Sequence, residues 1–117
     1  MVKKIKILGV PYTVHFVSYE NNKELATRFG YTAVKDRKIV IGDLNTLDDW
    51  KNESKAAKDR QHAETVRHEV VHAFLYESGL WGCSKKSDRW AMDEEIIDWI
   101  AIQMPKIVAV CKELESI

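Results

Sequence analysis

Arg67-His68-Glu69-Val70-Val71-His72-Ala73-Phe74 lies past the middle of the chain, and its reading decides how the rest is understood. Val66, Val70, Ala73 and Phe74, with Ala63 a turn earlier, recur at steps of three and four. That is the period of a helix with one apolar face. It predicts a helix from about Asp59 to Ser78, closed by Gly79 in a left-handed conformation. On such a helix two residues four apart differ by about 40° in azimuth and about 6 Å in rise. The imidazoles of His68 and His72 can therefore converge on one Zn²⁺ at about 2.0–2.1 Å from each nitrogen. Glu69 is turned away from both. It is not placed to be a third ligand, but it can reach a water at the metal, as a general base must. The competing explanation is a helix that happens to hold these three residues, which composition alone produces in a chain of this length well under about once in a hundred times. An amphipathic helix with apolar spacers Val70 and Val71, preceded by strands, favours the site.

A hydrolytic zinc site takes three protein ligands and leaves one position open. Downstream, Ile96, Ile97, Ile100 and Ala101 mark a second long helix, with Ser87 as a cap and Asp88 in its first turn. It is expected to end or kink at Met104, because Pro105 disfavours helix for the residue before it and can itself open a last helix to about Glu115. Asp93, Glu94, Glu95 and Asp98 are the acidic candidates. Glu94 shares a face with Trp90, Ile97 and Ala101 and is the preferred third ligand. Glu95, nearer Ala91, Trp99 and Ile102, is the alternative. Asp98, one turn beyond Glu94, can accept from the outer nitrogen of a ligand histidine and fix its tautomer. Acidic residues near a helix start are commonly just solvated. Glu94 and Asp98, however, are like charges at i,i+4, a repulsion of a few tenths of a kcal/mol that a nearby cation removes.

The segment 67–74, followed by Glu94-Glu95-Ile96-Ile97-Asp98-Trp99-Ile100-Ala101 and Met104-Pro105, resembles the small zincin-type metallopeptidases of phages and Gram-positive mobile elements. It is similar in outline to the ImmA/IrrE group, where HExxH is followed by a glutamate on a later helix that ends near a proline. The spacing of Glu94 and Asp98 also resembles the ExxxD pattern of thermolysin-type gluzincins. The resemblance covers about residues 60–108. It implies a zinc peptidase with a small sheet beside the active-site helix.

Upstream the chain changes character. Ile5, Ile7 and Tyr12-Thr13-Val14-His15-Phe16-Val17 read as strands joined through Gly9-Val10-Pro11. Residues 18–29 read as a loop, Gly30-Tyr31-Thr32 as the start of another strand, and Lys38-Ile39-Val40-Ile41 as a strand after a turn at Lys35-Asp36-Arg37. Residues 43–50 form a loop or short helical turn, and the charged run 51–60 a solvated stretch. The expected fold class is α+β: one domain over residues 1–117, with a small, mostly antiparallel sheet packed on the HExxH helix and a second ligand-bearing helix. A peptide could add as a strand on an exposed edge at Lys38–Ile41.

Composition narrows the partners. Eighteen basic residues balance eighteen acidic ones, so no overall field draws the chain to nucleic acid or an anionic membrane. Lys3, Lys4 and Lys6 precede an apolar run cut off by Pro11, too short for a signal peptide, and no stretch approaches a membrane span. Cys83 and Cys111 sit in no CxxC pattern and read as free thiols. The expected place is the cytoplasm. His15 and His62 read as ordinary histidines, Tyr31 and Tyr76 as packing residues either of which could reach an oxyanion, and Trp50, Trp81, Trp90 and Trp99 as core or rim. Two functions remain. One is a zinc-dependent metallopeptidase with Glu69 as general base, acting on a peptide or protein substrate. The other is a zincin-like protein-binding module whose metal is structural or vestigial.

Overall fold

In the computed structural model, which describes residues 1–83, 90–114 and 117, a four-stranded sheet packs on a long helix that a second long helix covers in turn. Strands β1 (Val2–Ile7) and β2 (Val10–Val17) form a hairpin. Its two-residue turn, Leu8-Gly9, has φ of 50° and 82°, the twist that matches paired strands. The turn thus lies one residue earlier than Gly9-Val10-Pro11. Pro11 falls inside β2, opposite Lys6, and β4 pairs with β2 only from Thr13 onward, so the missing N–H of Pro11 falls outside that ladder.

Strands β3 (Gly30–Ala33) and β4 (Lys38–Gly42) complete the sheet in the order β1-β2-β4-β3. β4 runs antiparallel to β3 and parallel to β2, so the sheet is mixed. This corrects the expected place of Lys38–Ile41: it is an interior strand and not an edge. Ile39, Val40 and Ile41 are each 1% exposed, and a continuous apolar run buried on both faces belongs to the middle of a sheet. The free edges are β1 and β3.

Helix α1 (Lys55–Glu77) begins four residues before the expected start at Asp59, and well ahead of the apolar period that opens at Ala63. Ser54 caps it, its Oγ accepting from the Ala57 N–H at 3.1 Å, and the first turns are exposed and charged, with Lys55 paired to Asp59. A side-chain cap is enough to start a helix where no apolar face is needed. Val66, Val70 and Ala73 pack against Ile7, Tyr12, Val14, Ile39 and Ile41 in the core, whereas Ala63 and Phe74 are exposed. The helix ends as expected, with Gly79 at φ 88°. Its last turn is tied to the sheet: Glu77 Oε1 accepts from the Tyr12 hydroxyl at 2.8 Å and from Arg37 Nε at 3.0 Å.

After the short helix α2 (Leu80–Cys83) and a 3₁₀ turn at Trp90–Met92, helix α3 runs without interruption from Glu94 to Glu113. Its cap is Asp93, whose Oδ1 accepts from the N–H groups of Glu95 and Ile96. Ser87 and Asp88 lie outside the described residues, as do the side chains of Cys83 and Cys111. Pro105 neither ends the helix nor starts another; it sits inside α3. A proline there removes one intrahelical bond, leaving the carbonyl four residues earlier without its N–H. That carbonyl belongs to Ala101, and Arg67 of α1 donates to it from Nε at 2.6 Å. α3 buries Ile97 and Ala101, and its outer side exposes Trp99, Ile107 and Val110. Among the described residues, no helix is long and apolar enough to cross a membrane.

Candidate metal centre

Between the sheet and α3, two faces of α1 meet different neighbours. Thr65 and Glu69 face the edge strand β3 and are both 5% exposed. The backbone comes close here: a Cβ on Gly30 would lie 2.7 Å from the Val40 carbonyl oxygen and 3.1 Å from Thr65 Cγ2. Only glycine lets β3 start against α1 at this point. Two residues on, on the same side of the strand, the Thr32 hydroxyl sits 2.8 Å from Glu69 Oε1 and 3.1 Å from the Glu69 carbonyl. Its single proton goes to the nearer carboxylate oxygen. The other oxygen, Oε2, is left 3.9 Å from His68 Nε2.

His68 and His72 face α3. Their Nε2 atoms lie 3.1 Å apart, and the carboxylate of Glu94 spans them, Oε2 at 3.0 Å from His68 and Oε1 at 3.1 Å from His72. Asp98, one turn along α3, holds the far side of the first ring, its Oδ1 at 2.6 Å from His68 Nδ1. The donor set suits zinc, and so does its spacing. Two atoms each about 2.0–2.1 Å from a tetrahedral zinc sit about 3.3–3.4 Å from one another, close to the separations here. In the tautomer whose one N–H goes to Asp98, His68 Nε2 presents a lone pair to a carboxylate oxygen at 3.0 Å. A cation between these two acceptors, a proton or a metal ion, makes that contact favourable. Among the described residues, His68, His72 and Glu94 are the group of His, Cys, Asp or Glu donors able to hold a metal, with ligand atoms within 4.8 Å of one another.

Burial sets the proton affinities on either side. It pushes the Glu69 carboxyl above its ordinary value, against the opposing pull of the Thr32 hydroxyl and His68. It pushes His72 down, against the pull of Glu94, and so favours the neutral imidazole that a metal requires. A carboxylate raised towards neutrality by desolvation is a better proton acceptor than one in water.

These groups open into a cavity of about 460 Å³. Beyond the donor cluster it is bounded by Arg28, Tyr31, Gln61 and Glu64. The Arg28 guanidinium stands 4.9 Å from the Tyr31 ring centroid.

The geometry brings His68, His72, Glu94, Asp98 and Glu69 into one cluster. Glu95 is exposed and lies outside the group of donors that could hold a metal. Tyr31 lines the cavity, while Tyr76 stacks edge-on with Trp81 at 5.4 Å. His62 packs 5.7 Å from Phe16, and His15 lies 3.0 Å from Thr13 Oγ1, both away from the site. Two further residues shape the cluster without belonging to its motif. Thr32 orients Glu69, and its signal was the alternation of Gly30 and Thr32 on a strand beside the helix. Arg67 spans to α3, and its signal was Pro105 itself. Comparison with protein-family models, with curated proteins and with solved structures finds no match for this chain.

Proposed function

We propose that the chain is a zinc-dependent peptidase of the zincin type, with His68, His72 and Glu94 as ligands and Glu69 as general base. The observation that carries this reading is the meeting of two Nε2 atoms and one carboxylate at 3.0–3.1 Å, with a second, buried carboxylate beside them. Zinc held there would polarise a peptide carbonyl and make a water acidic enough to attack near neutral pH. The chain's own residues do the rest. Asp98 keeps the His68 proton on Nδ1 and so keeps Nε2 free to ligate. Thr32 pins one oxygen of Glu69 and leaves the other to take a proton from the attacking water and return it to the leaving amine. A substrate peptide extends along the free edge of β3, Gly30–Ala33, which borders the same cavity.

The test is Glu69→Gln. Glutamine keeps the size and the bond from Thr32 but takes no proton at neutral pH. With zinc content matched to wild type, cleavage of a peptide library, or of co-expressed host and phage proteins, should fall 10²–10⁴-fold, about 3–5 kcal/mol of transition-state stabilisation. Equal cleavage by both proteins removes Glu69 from the reaction. A zinc-loaded wild type that cleaves nothing points to the protein-binding alternative.

A further inference from the structure

Arg67 and Pro105 are distant in sequence, yet the structure uses one to answer the other. Ala101 is fully buried, and Pro105 has no N–H to give its carbonyl. A buried carbonyl with no donor costs about 1–3 kcal/mol. Arg67 Nε supplies the donor at 2.6 Å, from the residue next to His68 on the facing helix. Glu94, Asp98 and Ala101 lie at steps of four and three, on one face of α3. The clamped carbonyl is thus about 10 Å along the axis from Glu94 and one turn from Asp98. It fixes how far α3 slides along α1, and with it the height at which Glu94 reaches His68 and His72.

We propose that Arg67, by taking the carbonyl that Pro105 leaves free, is the positioning residue of the metal centre. This rests on reading His68, His72 and Glu94 as ligands. The proline inside α3 is then part of the device: with an ordinary residue at 105, the carbonyl would be satisfied within its own helix and would have no need of α1. Arg67 touches neither metal nor substrate in this account.

The experiment is a double-substitution cycle on the full chain: wild type, Arg67→Met, Pro105→Ala and both together. Methionine keeps the length of the aliphatic stem as far as the Nε position and removes the donor. Zinc affinity is measured by competition with a chelator, zinc per chain at saturation by elemental analysis, and melting temperature without metal. Arg67→Met alone should weaken zinc 10–100-fold, the range typical of groups that hold ligands in place, with one zinc per chain still bound at saturation. In the Pro105→Ala background the same change should do much less, because the N–H restored at position 105 now serves Ala101. The melting temperatures should show the same dependence of one substitution on the other. A lower melting temperature with unchanged zinc affinity makes Arg67 merely structural and overturns the proposal. Equal affinity losses in both backgrounds overturn it as well, since Arg67 would then act independently of the proline. If wild type binds no zinc, the ligand reading fails and the positioning role falls with it; additive melting temperatures in that case also refute the clamp.

Discussion

The two sides of α1 are built from different interactions. Towards the sheet, Val66, Val70 and Ala73 press on Ile7, Tyr12, Val14, Ile39 and Ile41, an apolar layer. Towards α3, the helix offers Arg67, His68 and His72, and each meets a polar group of α3: the Ala101 carbonyl, the Asp98 and Glu94 carboxylates. The first side is held by removing apolar area from water, which is tolerant of detail. The second is held by directed bonds, each of which demands one partner at one height. Stability should therefore concentrate on the sheet side and metal binding on the α3 side, and substitutions can separate them.

The largest effect on folding should come from the sheet side. Ile39 is 1% exposed at the centre of the sheet, and Ile39→Ala should cost about 2–5 kcal/mol in denaturant unfolding. The folded fraction should bind zinc with nearly wild-type affinity. A fall in affinity as large as that from a ligand substitution would mean that the two sides are not separable.

On the α3 side the order reverses. Glu94→Ala should leave the core intact and weaken zinc more than any neighbouring change. Asp98→Asn, which spoils the tautomer control of His68, should weaken it about 10–100-fold. Glu95→Ala should have no measurable effect. Zinc competition titrations rank the three, and a loss at Glu95 exceeding that at Glu94 would reassign the third ligand.

How far the sequence carried each side follows the same division. The HExxH spacing and the apolar period are local, so the helix and its paired histidines were legible from residues four apart. Glu94 was preferred to Glu95 from face-sharing along a single helix. Sheet order was not legible: Lys38-Ile39-Val40-Ile41 reads as a strand, but its pairing with β2 is decided by chain far away. Nor was the fate of Pro105. A rule about one helix predicts a break, and the donor that prevents isolation of the Ala101 carbonyl comes from another helix 34 residues away. Thr32 was hidden for the same reason, its partner Glu69 being 37 residues on.

The smallest expected effect is electrostatic and lies at the end of α1. The Tyr12 hydroxyl, aided by Arg37 and opposed by partial burial, holds the Glu77 carboxyl below the ordinary carboxylate range. A group whose folded pKa is depressed adds stability that is complete above its unfolded value, about 4.3, and disappears as pH falls through the folded one. Melting temperature, measured with metal chelated, should therefore drop below about pH 4.3, and Glu77→Gln should flatten that drop. An unchanged slope in the variant would place the acid sensitivity elsewhere.

The central claim is that His68 and His72 share one metal ion with Glu94. Elemental analysis of protein purified without a histidine tag tests it most directly. Wild type should carry one zinc per chain, and the His68→Ala/His72→Ala double variant, folded by circular dichroism, should carry none. One equivalent of zinc retained by the double variant would contradict the account.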